Sequence, residues 1–121
     1  MRSAARLRTI LDCGATVLCC TPTYAIRLAE TAAEEGIDMS ACKIRCVIVA
    51  GEPGGSIPAT RQRIEAVLGA RVFDHYGMTE VGPVAVETVE TPHGMVLLDN
   101  HYIAEVIDPL GEQPVAAGEP G

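Results

Sequence analysis

The segment Ile44–Ala50 (IRCVIVA) constrains the fold most. Apart from Arg45 it is apolar throughout, without the alternation of a strand that has one wet face. A run of this kind reads as a central strand of a parallel sheet, covered on both faces. It ends at the breaker cluster Gly51-Glu52-Pro53-Gly54-Gly55-Ser56, and Pro58–Leu68 follows as a helix with Ser56 as its cap and Gly69 as its stop.

The flanking sequence repeats that alternation. Ala4, Leu7, Ile10 and Leu11 recur at helical spacing from Ser3 to Cys13, and Gly14 ends the run. Thr16–Cys20 reads as a short strand. Thr21 then caps a second helix with Pro22 at its first position and a body from Thr23 to Glu35, with Ile26, Ala29 and Ala33 on one face. Arg71–His75 is another short strand. Helices alternating with strands through short connections predict an α/β fold, parallel and doubly wound, over residues 1–82.

After Gly82 the pattern changes. Val84–Val89, Met95–Leu98 and Tyr102–Asp108 read as antiparallel strands, joined at Pro92-His93-Gly94 and Asp99-Asn100, with a turn at Asp108–Gly111. Residues 83–121 are expected to begin a β subdomain.

Composition narrows the function. The 121 residues carry a formal net charge of −7, with 9 basic residues that form no stripe, which argues against nucleic acid and against an anionic membrane as partners. No window approaches the roughly 20 apolar residues of a membrane span. The Arg-rich start is interrupted by Asp12 and Gly14 and lacks a cleavage site, so the reading is a soluble, cytoplasmic protein. The five cysteines are expected to be reduced apolar side chains. A zinc site from Cys19, Cys20, Cys42 and Cys46 has poor spacing, with no C-x-x-C pair. With no Trp, one Phe and three Tyr, the chain has little aromatic core material, which suggests that it packs against something further.

The two richest loops, 51–56 and 76–83, both follow predicted strands, and in such sheets ligands bind beyond the carboxyl ends. Adjacent parallel strands would set the loops side by side. The second stretch, Asp74-His75-Tyr76-Gly77-Met78-Thr79-Glu80, offers an aromatic face, close backbone approach at a glycine, a hydroxyl and a carboxylate. Those groups suit an aromatic ring joined to a phosphate, with a hard cation on Glu80. A polar loop with a packed Tyr and a solvated Glu is the plain alternative.

Tyr76-Gly77-Met78-Thr79-Glu80 resembles the YGxTE motif of the adenylate-forming (AMP-forming) acyl-CoA synthetase superfamily. Four specified positions match by chance in fewer than about one chain in a thousand of this length. Gly51-Glu52-Pro53 resembles the adenine-loop G-E-P of the same superfamily. The runs Thr21-Pro22-Thr23-Tyr24, Val47–Pro53, Asn100-His101-Tyr102 and Glu105–Pro109 are similar to the phenylacetate–CoA ligase branch.

The resemblance implies a role for each of these residues. Tyr76 and Gly77 would meet adenine, Asp74 its exocyclic amine, and Gly51, Glu52 and Pro53 the other side of the slot. Thr79 would donate to the α-phosphate and Glu80 would coordinate Mg²⁺. ATP/AMP, Mg²⁺ and coenzyme A are the implied cofactors, and a carboxylic acid, aryl by likeness, the implied substrate. The superfamily's phosphate loop is expected before Met1, and its ribose-binding Asp, hinge and adenylation Lys after Gly121. The chain is therefore expected to be part of a longer ligase, packing against the remainder of that chain or a homo-oligomer partner. A Cys/His metal cluster of some relatives has no counterpart in Glu87–Leu98, which lacks Cys. His93 falls in a turn, and His75 and His101 are expected to pack or hydrogen-bond, since this chemistry needs no histidine base.

The main alternative is a catalytically inactive nucleotide-binding or interaction module. A Rossmann dinucleotide binder is disfavoured because no G-x-G-x-x-G opens a helix.

Overall fold

A computed structural model describes residues 3–111 and 113–121. The elements in chain order are α1 (Ser3–Asp12), β1 (Val17–Cys20), α2 (Pro22–Glu34), β2 (Cys46–Val49), α3 (Pro58–Leu68), β3 (Arg71–Met78), β4 (Gly82–Val86) and β5 (Val96–Leu97). The strands form one five-stranded sheet in sequence order. The pairs β1–β2 and β2–β3 are parallel, with Cys20 opposite Val49 and Val49 opposite Asp74 at their carboxyl ends. β3–β4 and β4–β5 are antiparallel.

Val47, Val49 and Val72 point from the parallel strands into the core, where they meet Ala25 of α2 and Ile64 and Leu68 of α3. Burying such side chains contributes roughly 1.5–3 kcal/mol each before the entropy of ordering is set against it. Leu7, Leu28 and Ala32 join α1 to α2 in an adjoining cluster. The opposite face of the parallel strands carries Cys46, Ile48 and Phe73, all half-buried. The apolar run of β2 is thus fully covered on the helical face and partly covered on the other.

Thr21 caps α2 as expected, its hydroxyl accepting the Tyr24 N–H at 3.3 Å. The buried stripe of α2 is Ala25, Leu28, Ala29 and Ala32, whereas Ala33 is exposed, so the helical face is rotated from the expected one. At α3 the N-cap is Ile57 with no side-chain cap bond, not Ser56, because Pro58 already occupies the first turn.

Two other expectations are corrected. The stretch 76–83 is not one loop: β3 runs on through Met78, and only residues 79–81 turn before β4 starts. The register shifts between Tyr76 and Gly77, so Tyr76 faces Ala85 while Gly77 faces Pro83, and Val84 is the extra residue of a bulge. A Cβ on Gly77 would stand 2.6 Å from the Gly82 carbonyl oxygen, which is why this crossing takes glycine. Tyr102–Asp108 does not form a strand. Ile103 is 95% exposed, and the segment's β pairing among the described residues is limited to the isolated bridge Ile107–Pro114. Its apolar alternation pairs with neither edge strand, β1 or β5.

Candidate functional site

At the carboxyl ends of β2 and β3 lies a recess of 390 Å³ lined by Gly51, Glu52, Pro53, Asp74, His75, Tyr76, Gly77 and Met95. The G-E-P residues and three expected residues of β3 therefore share one cavity. A second recess of 540 Å³ adjoins it, with Gly51, His75 and Gly77 in common. Its further lining includes Ile48, Ala50, Met78, Thr79 and Pro83. Thr79 thus belongs to the second recess. Glu80 sits exposed on the β3–β4 turn and lines neither.

The walls are fixed by specific bonds. The Glu52 Oε1 accepts the Thr23 N–H at 2.7 Å, a bond to an otherwise free donor in the first turn of α2. The Thr23 hydroxyl and amide, with help from the Thr21 hydroxyl, hold the Glu52 carboxyl below the usual carboxylate range, and desolvation opposes them. Glu52 was expected to form one side of the adenine slot; it lines the recess, and its carboxylate anchors the loop to α2.

On the other wall, Asp74 Oδ1 accepts the His75 N–H at 2.9 Å. The loop presses directly on this carboxyl: a Cβ on Gly55 would lie 2.5 Å from Asp74 Cγ and 2.6 Å from Val49 Cγ2. Tyr76 is 52% exposed, leaving a ring face open to a ligand. The Tyr102 hydroxyl donates to the Val81 carbonyl, tying the 98–102 segment to the β3–β4 turn.

The sequence reading missed the buried pair Arg61–Glu87, whose guanidinium and carboxylate meet at 2.5 and 3.1 Å. A signal was present. Arg61 takes the i position of the buried α3 series completed by Ile64 and Leu68, and Glu87 has the same parity as buried Ala85. Burial raises the Glu87 carboxyl, but hydrogen bonds from Arg61 and from the His93 and Asp74 amides, with the Arg61 charge, outweigh it and bring it below its ordinary value.

No group of three or more His, Cys, Asp and Glu side chains able to hold a metal occurs among the described residues. All five cysteines are free. No helix among the described residues is long and apolar enough to cross a membrane.

The sequence profile of the family described as "AMP-binding enzyme" matches residues 1–121, the whole chain. The chain belongs to the AMP-binding enzyme family. Phenylacetate-coenzyme A ligase of Pseudomonas putida is 33% identical over 118 residues, covering 96% of this chain and 26% of that protein. The ligase of the same name from Escherichia coli K12 is 38% identical over 104 residues, covering 84% of this chain and 23% of its own. A crystal structure of 2-hydroxyisobutyryl-CoA ligase in complex with 2-HIB-AMP and CoA superposes with a TM-score of 0.86 at 32% identity, over 97% of this chain and 28% of that one. The chain spans about a quarter of the length of these relatives. Over the matched quarter it is similar to the phenylacetate-coenzyme A ligases, and its fold is α/β with a parallel and then antiparallel sheet.

Proposed function

We propose that this chain supplies the adenylate-binding part of a ligase that joins a carboxylic acid to coenzyme A through an acyl-adenylate, with an aryl acid such as phenylacetate as substrate. The observation that carries this reading is the single recess that gathers Gly51, Glu52, Pro53, Asp74, Tyr76 and Gly77. Its residues fit an adenine: an open tyrosine ring face, a prolyl loop opposite and a half-buried carboxylate to accept an amine.

In this reading Tyr76 packs on the base and Asp74 takes its exocyclic N–H. Thr79, in the adjoining recess, donates to the α-phosphate. Ile48, Ala50, Met78 and Pro83 give that recess apolar walls for the acyl group. The acid's carboxylate attacks the α-phosphate, pyrophosphate leaves, and the thiol of coenzyme A then displaces AMP. The side chains position and neutralise; none acts as a nucleophile. Glu80, exposed on the β3–β4 turn, would hold Mg²⁺ through its carboxylate, and the ion would offset the charge between the α-phosphate and pyrophosphate.

The test compares AMP with a sulfamate-linked phenylacetyl adenosine, a stable mimic of the acyl-adenylate. Burial of the phenyl group predicts roughly tenfold or tighter binding of the mimic. Equal affinities remove the acyl recess from the reading. Pyrophosphate release from ATP with phenylacetate, measured on a full-length ligase that contains this segment and expected to be absent from the 121-residue chain alone, then separates a ligase from a module that only binds.

A further inference from the structure

Arg61 and Glu87 are each only 6% exposed, although neither lines the 390 Å³ recess. The pair has six directed bonds. Arg61 Nε donates to the Gly55 carbonyl at 2.9 Å, and Nη1 donates to the Val72 carbonyl at 2.7 Å. Nη1 and Nη2 donate to the two Glu87 oxygens at 3.1 and 2.5 Å. The same two oxygens accept the His93 N–H at 3.0 Å and the Asp74 N–H at 2.9 Å.

A buried ion pair is a poor source of net stability, because desolvation of the two charges offsets most of their attraction. Well-packed apolar side chains at a helix-core position beside Ile64 and Leu68 would serve stability as well. What they would not supply is direction. The pair's outer bonds end on Gly55 in the loop after β2, on Val72 and Asp74 in β3, and on His93, two residues before Met95. Loop, strand and Met95 are three walls of the recess. His93 also holds a left-handed backbone at φ 65°, a conformation that costs a non-glycine residue energy and needs an outside contact to persist. Its amide bond to Glu87 is such a contact.

We propose that Arg61 and Glu87 are positioning residues of the adenine recess, setting the spacing between the 51–55 loop, Asp74 and the 93–95 segment. The assignment rests on the adenylate reading above for the identity of the ligand, and on the bond network alone for the positioning. No conservative replacement reproduces the network. A lysine ammonium cannot reach the Gly55 and Val72 carbonyls and both carboxylate oxygens at once, and a glutamine has one acceptor oxygen where Glu87 uses two.

The experiment uses the 121-residue chain with AMP as probe and three variants: Arg61→Lys, Glu87→Gln and the double Arg61→Met/Glu87→Met. Binding constants, melting temperature and amide exchange are read together. The single variants are expected to bind AMP about 10–100-fold more weakly, the penalty of misplacing a site by about an ångström. The double Met variant removes both charges, so its melt is expected to return toward that of the parent. Its AMP affinity is expected to stay low, and its Asp74 and His93 amides to exchange faster. A purely structural pair predicts instead that affinity returns with the melt, and that result overturns the proposal. Should the parent chain not bind AMP, the adenylate reading fails by itself, and exchange still decides the positioning claim. Faster exchange in the double variant at the Ile57 amide, which donates to the Gly54 carbonyl in the loop and to neither member of the pair, supports it; Ile57 protection equal to the parent's overturns it.

Discussion

The Glu52 carboxylate and the Thr23 backbone N–H meet at 2.7 Å, across 29 residues of sequence. This contact fixes the G-E-P loop to the start of the helix that leaves β1, so one wall of the recess is hung from α2. An acidic group at a helix N-terminus also lies at the favourable end of its dipole.

The pH dependence of this anchor follows from its sign. The folded-state value of Glu52 lies below the ordinary 4.5, so the contact's contribution is complete above 4.5 and is lost as pH falls through the folded value. The Thr23 amide resonance is expected to titrate with a midpoint below 4.5, and Glu52→Gln to abolish that titration. A Thr23 midpoint at or above 4.5 would remove the anchor.

Gly55→Ala tests the contact between loop and strand. Its Cβ would fall 2.5 Å from the Asp74 carboxyl and 2.6 Å from Val49, and Val49 is fully buried. Overpacking of this kind costs about 1–3 kcal/mol. A lowered melting temperature and a shifted Asp74 amide are expected. An unchanged melt would show that the loop can stand off from β3 freely.

Thiol reactivity is expected to be ordered. Burial, with the neighbouring Cys19 thiol, pushes Cys20 up to about 11, and burial likewise raises Cys46. Thiolate is the reactive form, so iodoacetamide at pH 8 should label exposed Cys13 and Cys19 well before Cys20 and Cys46. Mass mapping over a time course reads the order, and early Cys20 labelling would contradict the burial of β1's inner face.

The proposed metal role of Glu80 has its own signature. Glu80→Gln keeps the side chain's size and removes its charge, so the Mg²⁺-dependent part of ATP affinity is expected to fall toward the metal-free level. A Mg²⁺ dependence of ATP binding identical to the parent's would leave Glu80 as a solvated turn residue.

Much of this arrangement was legible in the sequence, for identifiable reasons. IRCVIVA read correctly as a parallel strand because few other structures hide so many consecutive apolar residues, and Thr21-Pro22 located a helix start through cap chemistry that is local. The site residues Gly51, Glu52, Pro53, Asp74, Tyr76 and Gly77 came out around one recess because strand order alone brings the two carboxyl ends together. What failed depended on distant partners. The strand character of Tyr76–Met78 comes from a bulged pairing with β4, which a glycine-containing stretch does not announce. Tyr102–Asp108 alternates like a strand, yet it pairs with neither edge of the sheet, and alternation alone does not fix a partner. Arg61–Glu87 spans 26 residues of sequence, and each member looks like an ordinary surface charge until its register with buried neighbours is counted.

Adenine is placed here between the G-E-P loop and Tyr76. The most direct measurement is an amide chemical-shift titration of the chain with AMP. Saturable shifts are expected, concentrated at residues 51–53 and 74–77 and reduced strongly by Tyr76→Ala. Absence of saturable shifts contradicts this placement, as does a footprint centred instead on the 560 Å³ groove of Arg6, Ile10, Leu18 and Tyr24 beside β1.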